Sequence, residues 1–260
     1  MCRDDGSVIK VLRSVFGYEN FRNTVQKKAI MAITEGSKFV CISMPPGYGR
    51  LLCYQLPAVL QKGKVAVVFS PKLSRIESQI DFLKRKRINA QVLSPGTYAN
   101  ERNTILKDLS SDSPRIVLLY STPEMGMTTY FQNLILSLKK RKKLSFIVFD
   151  EAHCVSQWGY EYSHYYEKIN KFDKVYGYVP RIAVTTTVTN KVIEDICKLL
   201  TLSTPKIYKM AAQRINIHHD VYFLDMLDEP FNHLKNFISE ILDSMNESID
   251  KVNHSHSVRL

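Results

Sequence analysis

The feature that most constrains the fold is an apolar run that ends in two adjacent carboxylates. Residues 146–149 read Phe-Ile-Val-Phe, and Asp150 and Glu151 follow directly. A short apolar run of this kind is typical of a strand buried on both faces of a parallel sheet. In open α/β sheets, ligands bind beyond the carboxyl ends of the strands. The pair is therefore either a solvated turn or part of a site, where the first carboxylate suits Mg²⁺ and the second an attacking water.

The rest of the chain alternates short apolar segments with amphipathic ones. Strands are predicted at residues 39–43, 65–69, 90–93, 116–120 and 182–184, and helices are predicted between them. This alternation implies right-handed crossovers and a mostly parallel sheet with helices on both faces. The predicted fold class is therefore α/β. Two further helices, over residues 5–16 and 25–33, are predicted before the first strand.

A glycine-containing loop joins the first strand to the next helix. Residues 44–50 read Met-Pro-Pro-Gly-Tyr-Gly-Arg, and a buried helix is predicted from Leu51. A strand, a glycine loop and a helix form the context of a phosphate-binding loop, because backbone N–H groups can then turn towards an anion. Such loops carry Lys followed by Ser or Thr. Here Arg50 keeps the charge in a wider planar group, whereas Leu51 cannot bind a metal. On spacing alone, a nucleotide loop and an ordinary turn both remain open.

Composition narrows the class of partner. The formal net charge of +11 suits a polyanion such as nucleic acid. Two basic runs, at residues 84–87 and 139–143, are more typical of solvated helix ends than of DNA contacts. The five cysteines lack the close spacing of a zinc or redox motif, so no zinc and a reducing, intracellular compartment are predicted. No apolar run approaches the length of a membrane span, so no membrane partner is expected.

Several further motifs follow one another in a recognisable order. The segments concerned are 16–22 with Gln26, 44–58, 70–79, 120–124, 150–159, 183–189 and 214–217. With these motifs, residues 5–240 resemble the RecQ-type DNA helicases. The run from Cys154 to Trp158 is the most specific part of the resemblance, since ordinary DEAH proteins lack it. The resemblance implies a RecA-like P-loop NTPase fold, and ATP hydrolysis coupled to 3′-to-5′ movement on single-stranded DNA.

The resemblance also implies roles for individual residues at the nucleotide. Gln26 would pair with adenine through two hydrogen bonds, which the N6 donor and N7 acceptor permit. Asp150 would hold Mg²⁺, Glu151 would orient the attacking water, and His153 would complete the catalytic set. The other implied nucleotide-binding residues are Arg22, Pro46, Gly47, Tyr48, Gly49, Arg50 and Leu51. The implied cofactors are ATP and Mg²⁺, without zinc.

The resemblance implies a second set of residues, which would face the nucleic acid. His153, Thr185 and Thr187 would transmit the nucleotide state to the DNA face. Trp158, with Gln157, would contact the single strand, because aromatic side chains stack on bases without sequence preference. A core tryptophan is the alternative, although the tyrosines that follow favour an exposed loop. Single-stranded or forked DNA, DNA-repair or replication proteins, and the nucleus are the implied partners and location.

Four segments are expected along the chain. They are residues 1–36 with the adenine-reading motif, 37–212 as the RecA-like ATP-binding domain, 213–245 as the start of a crossing to a second lobe, and 246–260 as a polar, frayed tail. A helicase of this type needs a second lobe, whose arginine finger is worth roughly 10³–10⁵ in rate in related nucleotidases. These 260 residues are expected to lack that lobe.

Several residues depart from the family pattern. Arg50 and Leu51 alter the loop, Lys72 and Arg75 enter a usually apolar segment, and residues 163–164 read Ser-His instead of Arg-Pro. We therefore expect weak nucleotide binding and no unwinding by this chain alone. The alternative function is a degenerate lobe that binds nucleic acid or protein without turnover. A nucleotide kinase is disfavoured, because the run from 150 to 158 has no role in such an enzyme.

Overall fold

A computed structural model describes residues 5–155, 177, 179–187, 189–211 and 221–257 of the chain. The chain divides into two compact units, Met1–Ala212 and Gln213–Leu260. The described residues of the first unit contain a sheet of seven strands, and every pair of neighbouring strands is parallel. The strands are β1 (Phe39–Ser43), β2 (Val65–Phe69), β3 (Ala90–Leu93), β4 (Leu118–Ser121), β5 (Leu144–Phe149), β6 (Arg181–Thr185) and β7 (Lys206–Lys209). Their order across the sheet is β3-β4-β2-β5-β6-β1-β7.

Helices cover both faces of this sheet. They are α1 (Asp5–Val11), α2 (Thr24–Thr34), α3 (Leu52–Leu60), α4 (Leu73–Arg85), α5 (Ala99–Ser110), α6 (Pro123–Gly126), α7 (Thr129–Lys140) and α8 (Asn190–Leu199). In β2, Val67 and Phe69 join a core with α5, α7 and α8, whereas Ala66 and Val68 join a core with α1 to α4. Alternate residues of a strand point to opposite faces. The predicted α/β fold with a parallel sheet between two helical layers is confirmed.

The register of the sheet aligns the carboxyl-terminal ends of β1, β2, β5 and β6 with one another. Ser43 at the end of β1 pairs with Thr185 at the end of β6. Phe69 at the end of β2 pairs with Phe149, which directly precedes Asp150. Because all these strands run in one direction, their polar ends meet at the same edge of the sheet.

The structure differs from the predicted elements at both ends. Leu12–Phe16 is a wider π-helical turn after α1, closed by Gly17 with φ +75°, rather than a continuation of one α-helix. The edge strand β7 was not predicted, because it reads Lys-Ile-Tyr-Lys and its residues are mostly exposed. Charged residues on a short edge strand hinder pairing with another chain, and they also remove the apolar signal.

The second unit contains a short 3₁₀ turn, Leu224–Met226, and a helix α9, Pro230–Ser257. Helix α9 continues to Ser257, past residue 246, where the sequence predicts a polar, frayed tail. Residues 246–257 contain no Gly or Pro to end a helix. Among the described residues, no helix is both long and apolar enough to cross a membrane.

Candidate nucleotide-binding site

A cavity of about 770 Å³ opens where the N-terminal segment, the glycine loop and α4 meet. Of the residues predicted to bind nucleotide, Arg22, Gln26, Pro46, Gly47, Gly49, Arg50 and Leu51 line it. Tyr48 does not line the cavity. Its side chain packs half-buried against the core, and only its backbone carbonyl takes part, as an acceptor from Asn23. Asp150 and Glu151 lie buried beneath the cavity and contact the arginines that line it.

Gln26 fastens the N-terminal segment to the glycine loop. Asn23 caps α2, and its Oδ1 accepts the Gln26 backbone N–H at 2.7 Å. The Gln26 side chain is buried, its Oε1 accepts the Arg22 backbone N–H at 2.8 Å, and its Nε2 donates to the Gly49 carbonyl at 2.9 Å. Asn23 Nδ2 donates to the Tyr48 carbonyl at 3.2 Å. The predicted adenine-reading residue therefore also holds the shape of the predicted phosphate loop.

Gly49 meets two requirements that exclude a side chain. Its φ is +81°, in the left-handed region that other residues rarely adopt. A Cβ atom at this position would overlap Gln26 Nε2. The contact between Gln26 and the loop thus depends on glycine at position 49.

Arg50 lies across both carboxylates at the other end of the cavity. Its side chain is buried, its Nη2 donates to Glu151 Oε1, and its Nε lies 4.0 Å from Asp150 Oδ1. Arg75, from the first turn of α4, pairs with the same Glu151 oxygen through Nη1. Two guanidinium groups from different elements therefore share one carboxylate. Arg75 was not predicted as a site residue; the only signal was a basic residue in a segment expected to be apolar.

Asp150 is fully buried and held from a second direction. Its Oδ2 accepts from Gln79 Nε2 at 3.3 Å, and Gln79 Oε1 accepts from the Tyr54 hydroxyl at 2.7 Å. Burial raises the pKa of Asp150, and the charges of Arg50 and Arg75 oppose that rise. Burial also raises the pKa of Tyr54 well above its usual value, so Tyr54 stays a neutral donor. Sequence reasoning did not single out Tyr54 or Gln79, because their partners are distant along the chain.

Glu151 has an unusual backbone for a residue with a side chain. Its φ is 51°, in the left-handed region, where a residue other than glycine costs about 1–3 kcal/mol. The Cys154 N–H donates to the Glu151 carbonyl at 2.9 Å and begins the 3₁₀ turn Ala152–Val155. The turn and the two arginine contacts hold Glu151 in this conformation. The carboxylate thereby points to the glycine loop and α4.

A line of polar contacts leads from Glu151 towards the end of β6. His153 Nδ1 lies 3.4 Å from Glu151 Oε2 and 3.1 Å from Thr185 Oγ1. The Thr187 N–H donates to Thr185 Oγ1 at 3.1 Å, and Ser43 Oγ donates to the Thr187 carbonyl at 2.8 Å. Burial lowers the pKa of His153, and Arg50 and Arg75 lower it further. The structure thus brings together His153, Thr185 and Thr187, whose coupling role stays a prediction.

The predicted DNA-facing residues Gln157 and Trp158 lie outside the described residues. The same is true of the segment 214–217 and of residues 163–164. Their predicted roles rest on the motifs alone.

Comparison with known proteins decides the family. The model of the family described as DEAD/DEAH box helicase matches residues 23–196. The chain belongs to the DEAD/DEAH box helicase family. ATP-dependent DNA helicase Q5 of Rattus norvegicus is 39% identical over 236 residues, which are 90% of this chain. ATP-dependent DNA helicase RecQ of Pasteurella multocida is 34% identical over 213 residues, or 82% of this chain. These relatives confirm the predicted RecQ-type helicase domain.

This DEAD/DEAH box chain is much shorter than its relatives. It spans 24% of the length of the rat helicase and 32% of that of the Pasteurella helicase. A crystal structure of the DUF1998 helicase MrfA, bound to DNA and AMPPNP, superposes with a TM-score of 0.63 at 20% identity. It covers 80% of this chain and 29% of MrfA. This likeness shows the fold alone, and it agrees with the predicted RecA-like architecture.

Proposed function

We propose that this chain is the nucleotide-binding first lobe of a RecQ-like, ATP-dependent 3′-to-5′ DNA helicase. The observation that carries the proposal is the meeting of three predicted motifs at one cavity. Gln26 lies at one end of it, the loop from Pro46 to Leu51 lines its wall, and Arg50 connects it to Asp150 and Glu151. The names of the relatives, which are DNA helicases, support the same activity.

The nucleotide would bind with its base near Gln26 and its phosphates near the glycine loop. Gln26 keeps one N–H and one acceptor lone pair beyond its contacts with Gly49 and Arg22, which suits an adenine edge. The loop leads into the N-terminus of α3, where backbone N–H groups and the helix dipole favour an anion. Arg22 and Gly47, which line the cavity, would bind nucleotide as the resemblance predicts, whereas Tyr48 would act only through the contact of its carbonyl with Asn23.

Glu151 and His153 would carry out the catalytic work. Glu151 would orient the attacking water once the nucleotide has drawn Arg50 and Arg75 away from it. His153, with its lowered pKa, is neutral near pH 7 and can pass on a hydrogen-bond change to Thr185. Thr185 and Thr187 would couple that change to DNA held by Gln157 and Trp158.

Magnesium, with Asp150 as its ligand, is implied by the family, but the residues around Asp150 fit it poorly. Leu51 stands where the loop would offer a hydroxyl oxygen, and Asp150 already accepts from Gln79 and faces Arg50. Mg²⁺ requires several oxygen ligands in near-octahedral geometry. We therefore assign no catalytic step to a metal ion.

Single-stranded or forked DNA is the proposed nucleic-acid partner. The net charge of +11 favours a polyanion, and the printed names of the relatives specify DNA. A nuclear location and association with DNA-repair or replication proteins follow from the same proposal. Nothing in the comparisons favours the degenerate-lobe alternative.

The deciding experiment measures nucleotide binding and turnover by the 260-residue chain, with and without single-stranded DNA. We expect binding of ATP in preference to GTP, slow turnover and no strand displacement. The test variant is Gln26→Ala, which should bind ATP and GTP about equally, and both more weakly because the contact with Gly49 is lost, while keeping its circular-dichroism spectrum. Absence of binding to both nucleotides would contradict the proposal. Salt-sensitive DNA binding that ATP leaves unchanged would instead identify the degenerate lobe.

A further inference from the structure

The charged groups at the Arg50 end of the cavity form a balanced cluster. Arg50 and Arg75 carry two positive charges, and Asp150 and Glu151 carry two negative charges in their ionised forms. With an apolar residue at position 75, Arg50 and the two carboxylates would together carry one net negative charge, which could attract a cation. In this chain the positive charge of Arg75 cancels that net negative charge. The cluster thus lacks the surplus negative charge by which carboxylate sites attract divalent cations.

The position of the two guanidinium groups matters as much as their charge. Arg50 contacts both carboxylates from the loop side, and its buried side chain lies in the cavity wall. Arg75 reaches Glu151 from α4 with a side chain that is 43% exposed. A cation bound beside Asp150 would lie next to the Arg50 guanidinium and be repelled by it. The place where a cation would join carboxylate and phosphate is thus taken by a fixed positive group.

We propose that this site binds the phosphates of an adenine nucleotide with Arg50 and Arg75 in place of a divalent cation. This inference rests on the proposed nucleotide-binding function. Guanidinium groups bind phosphate oxygens in pairs of parallel hydrogen bonds, and they do so without losing their charge. On binding, the phosphates displace the Glu151 carboxylate from Arg50 and Arg75. Binding in this way requires no metal ligand at position 51.

The test compares the affinity of a fluorescent ADP analogue in excess Mg²⁺ and in excess EDTA. For the native chain we expect the two dissociation constants to agree within about threefold, a difference below 1 kcal/mol. Binding that appears only with Mg²⁺ overturns the metal-free inference and leaves the proposed function standing. Absence of binding in both buffers overturns both.

Substitutions on α4 separate a phosphate contact from general charge. Arg75→Leu should weaken binding in EDTA by about tenfold or more, since a charge-assisted hydrogen bond is lost. Arg85→Leu removes the same charge from the exposed end of the same helix and should leave the affinity unchanged. Arg75→Lys should restore part of the affinity. Equal affinities for Arg75→Leu and Arg85→Leu would overturn the role of Arg75.

A second variant asks whether the metal requirement can be restored. Leu51→Ser combined with Arg75→Leu supplies the missing hydroxyl and returns one negative charge to the cluster. We expect Mg²⁺ to strengthen ADP binding by this variant about tenfold or more, whereas it leaves the native chain almost unaffected. Circular dichroism checks that the variant is folded. A variant that folds and binds equally well in both buffers would contradict the charge-balance explanation.

Discussion

The two ends of the cavity are built from different kinds of interaction. At the end proposed to bind the base, here the base end, neutral hydrogen bonds join Gln26 to Arg22 and Gly49. At the end proposed to bind the phosphates, here the phosphate end, ion pairs join Arg50 and Arg75 to the carboxylates. The base end has the residues that the RecQ-type resemblance requires, whereas the phosphate end departs from them. The comparison teaches that substitutions at a few side chains can change the electrostatics of one end of a cavity while the other end keeps the expected residues.

The largest expected effect is a difference in the free energy of unfolding between a variant at each end of the cavity. Arg50→Ala leaves Asp150 and Glu151 buried with one counter-charge fewer, and breaking a buried pair in this way costs about 3–5 kcal/mol. Arg22→Ala removes an exposed arginine at the base end and keeps the backbone N–H that Gln26 uses, so we expect a change within about 0.5 kcal/mol. Urea denaturation of both variants measures the difference. Equal losses would show that the ion pairs do not stabilise the fold.

A smaller effect tests the contact between the base end and the loop. Gly49→Ala and Gly47→Ala both place a side chain at positive φ, +81° and +87°, which costs about 1–3 kcal/mol each. Only the Cβ at position 49 meets Gln26; the one at position 47 meets nothing within 4 Å. Gly49→Ala should therefore lose a further ~1 kcal/mol of stability, because a buried hydrogen bond is broken.

Nucleotide affinity provides the second readout for this glycine pair. The preference for ATP over GTP should fall in Gly49→Ala and persist in Gly47→Ala, since only the first displaces the Gln26 amide. Thermal unfolding and competition binding measure the two quantities. A preference lost equally in both variants would mean that loop strain, rather than Gln26, is responsible.

The smallest expected effect is a pH dependence at the phosphate end. The pKa of His153 is lowered from 6.5 in the folded chain, so folding favours the neutral ring. Its contribution to stability is present above pH 6.5 and is lost as the pH falls through the lowered folded value. Asp150 acts in the opposite sense at lower pH, because its folded pKa is raised from 3.8. Its contribution is full below 3.8 and is lost as the pH rises through the raised value.

A variant isolates the histidine component. His153→Gln should flatten the decline of the unfolding free energy that begins as the pH falls below about 6.5. Urea denaturation at several pH values checks this. An unchanged slope just below pH 6.5 would show that His153 titrates alike in the folded and unfolded chain.

Much of the fold could be predicted because its strands are short, apolar and buried. The runs that became β1, β2 and β5 carry enough hydrophobic signal to be recognised alone. The edge strand β7 could not be recognised, since half of its residues are lysine. The continuation of α9 past residue 246 could not be recognised, since the segment is polar throughout, although residues 246–257 contain no Gly or Pro.

The sequence predicts which residues belong to the candidate site, but it does not predict which of their side chains contact one another. Motif order indicated Gln26, Arg50 and Glu151 as candidate site residues. The sequence also showed Arg75 as an unusual residue, but no local pattern indicates that it meets Glu151, whose backbone adopts a left-handed conformation. Such pairs form only when distant strand ends converge at one edge of a sheet, and that convergence follows from the register of the folded chain.

The side-chain amide of Gln26 has an evolutionary consequence. The group proposed to select the base also holds the loop that is proposed to receive the phosphates. A substitution at position 26 therefore alters two traits at once, and base preference is not free to drift while loop shape is preserved. Because the amide donates to the backbone carbonyl of Gly49, a substitution at position 49 could not compensate for its loss, and the left-handed backbone there admits almost nothing except glycine.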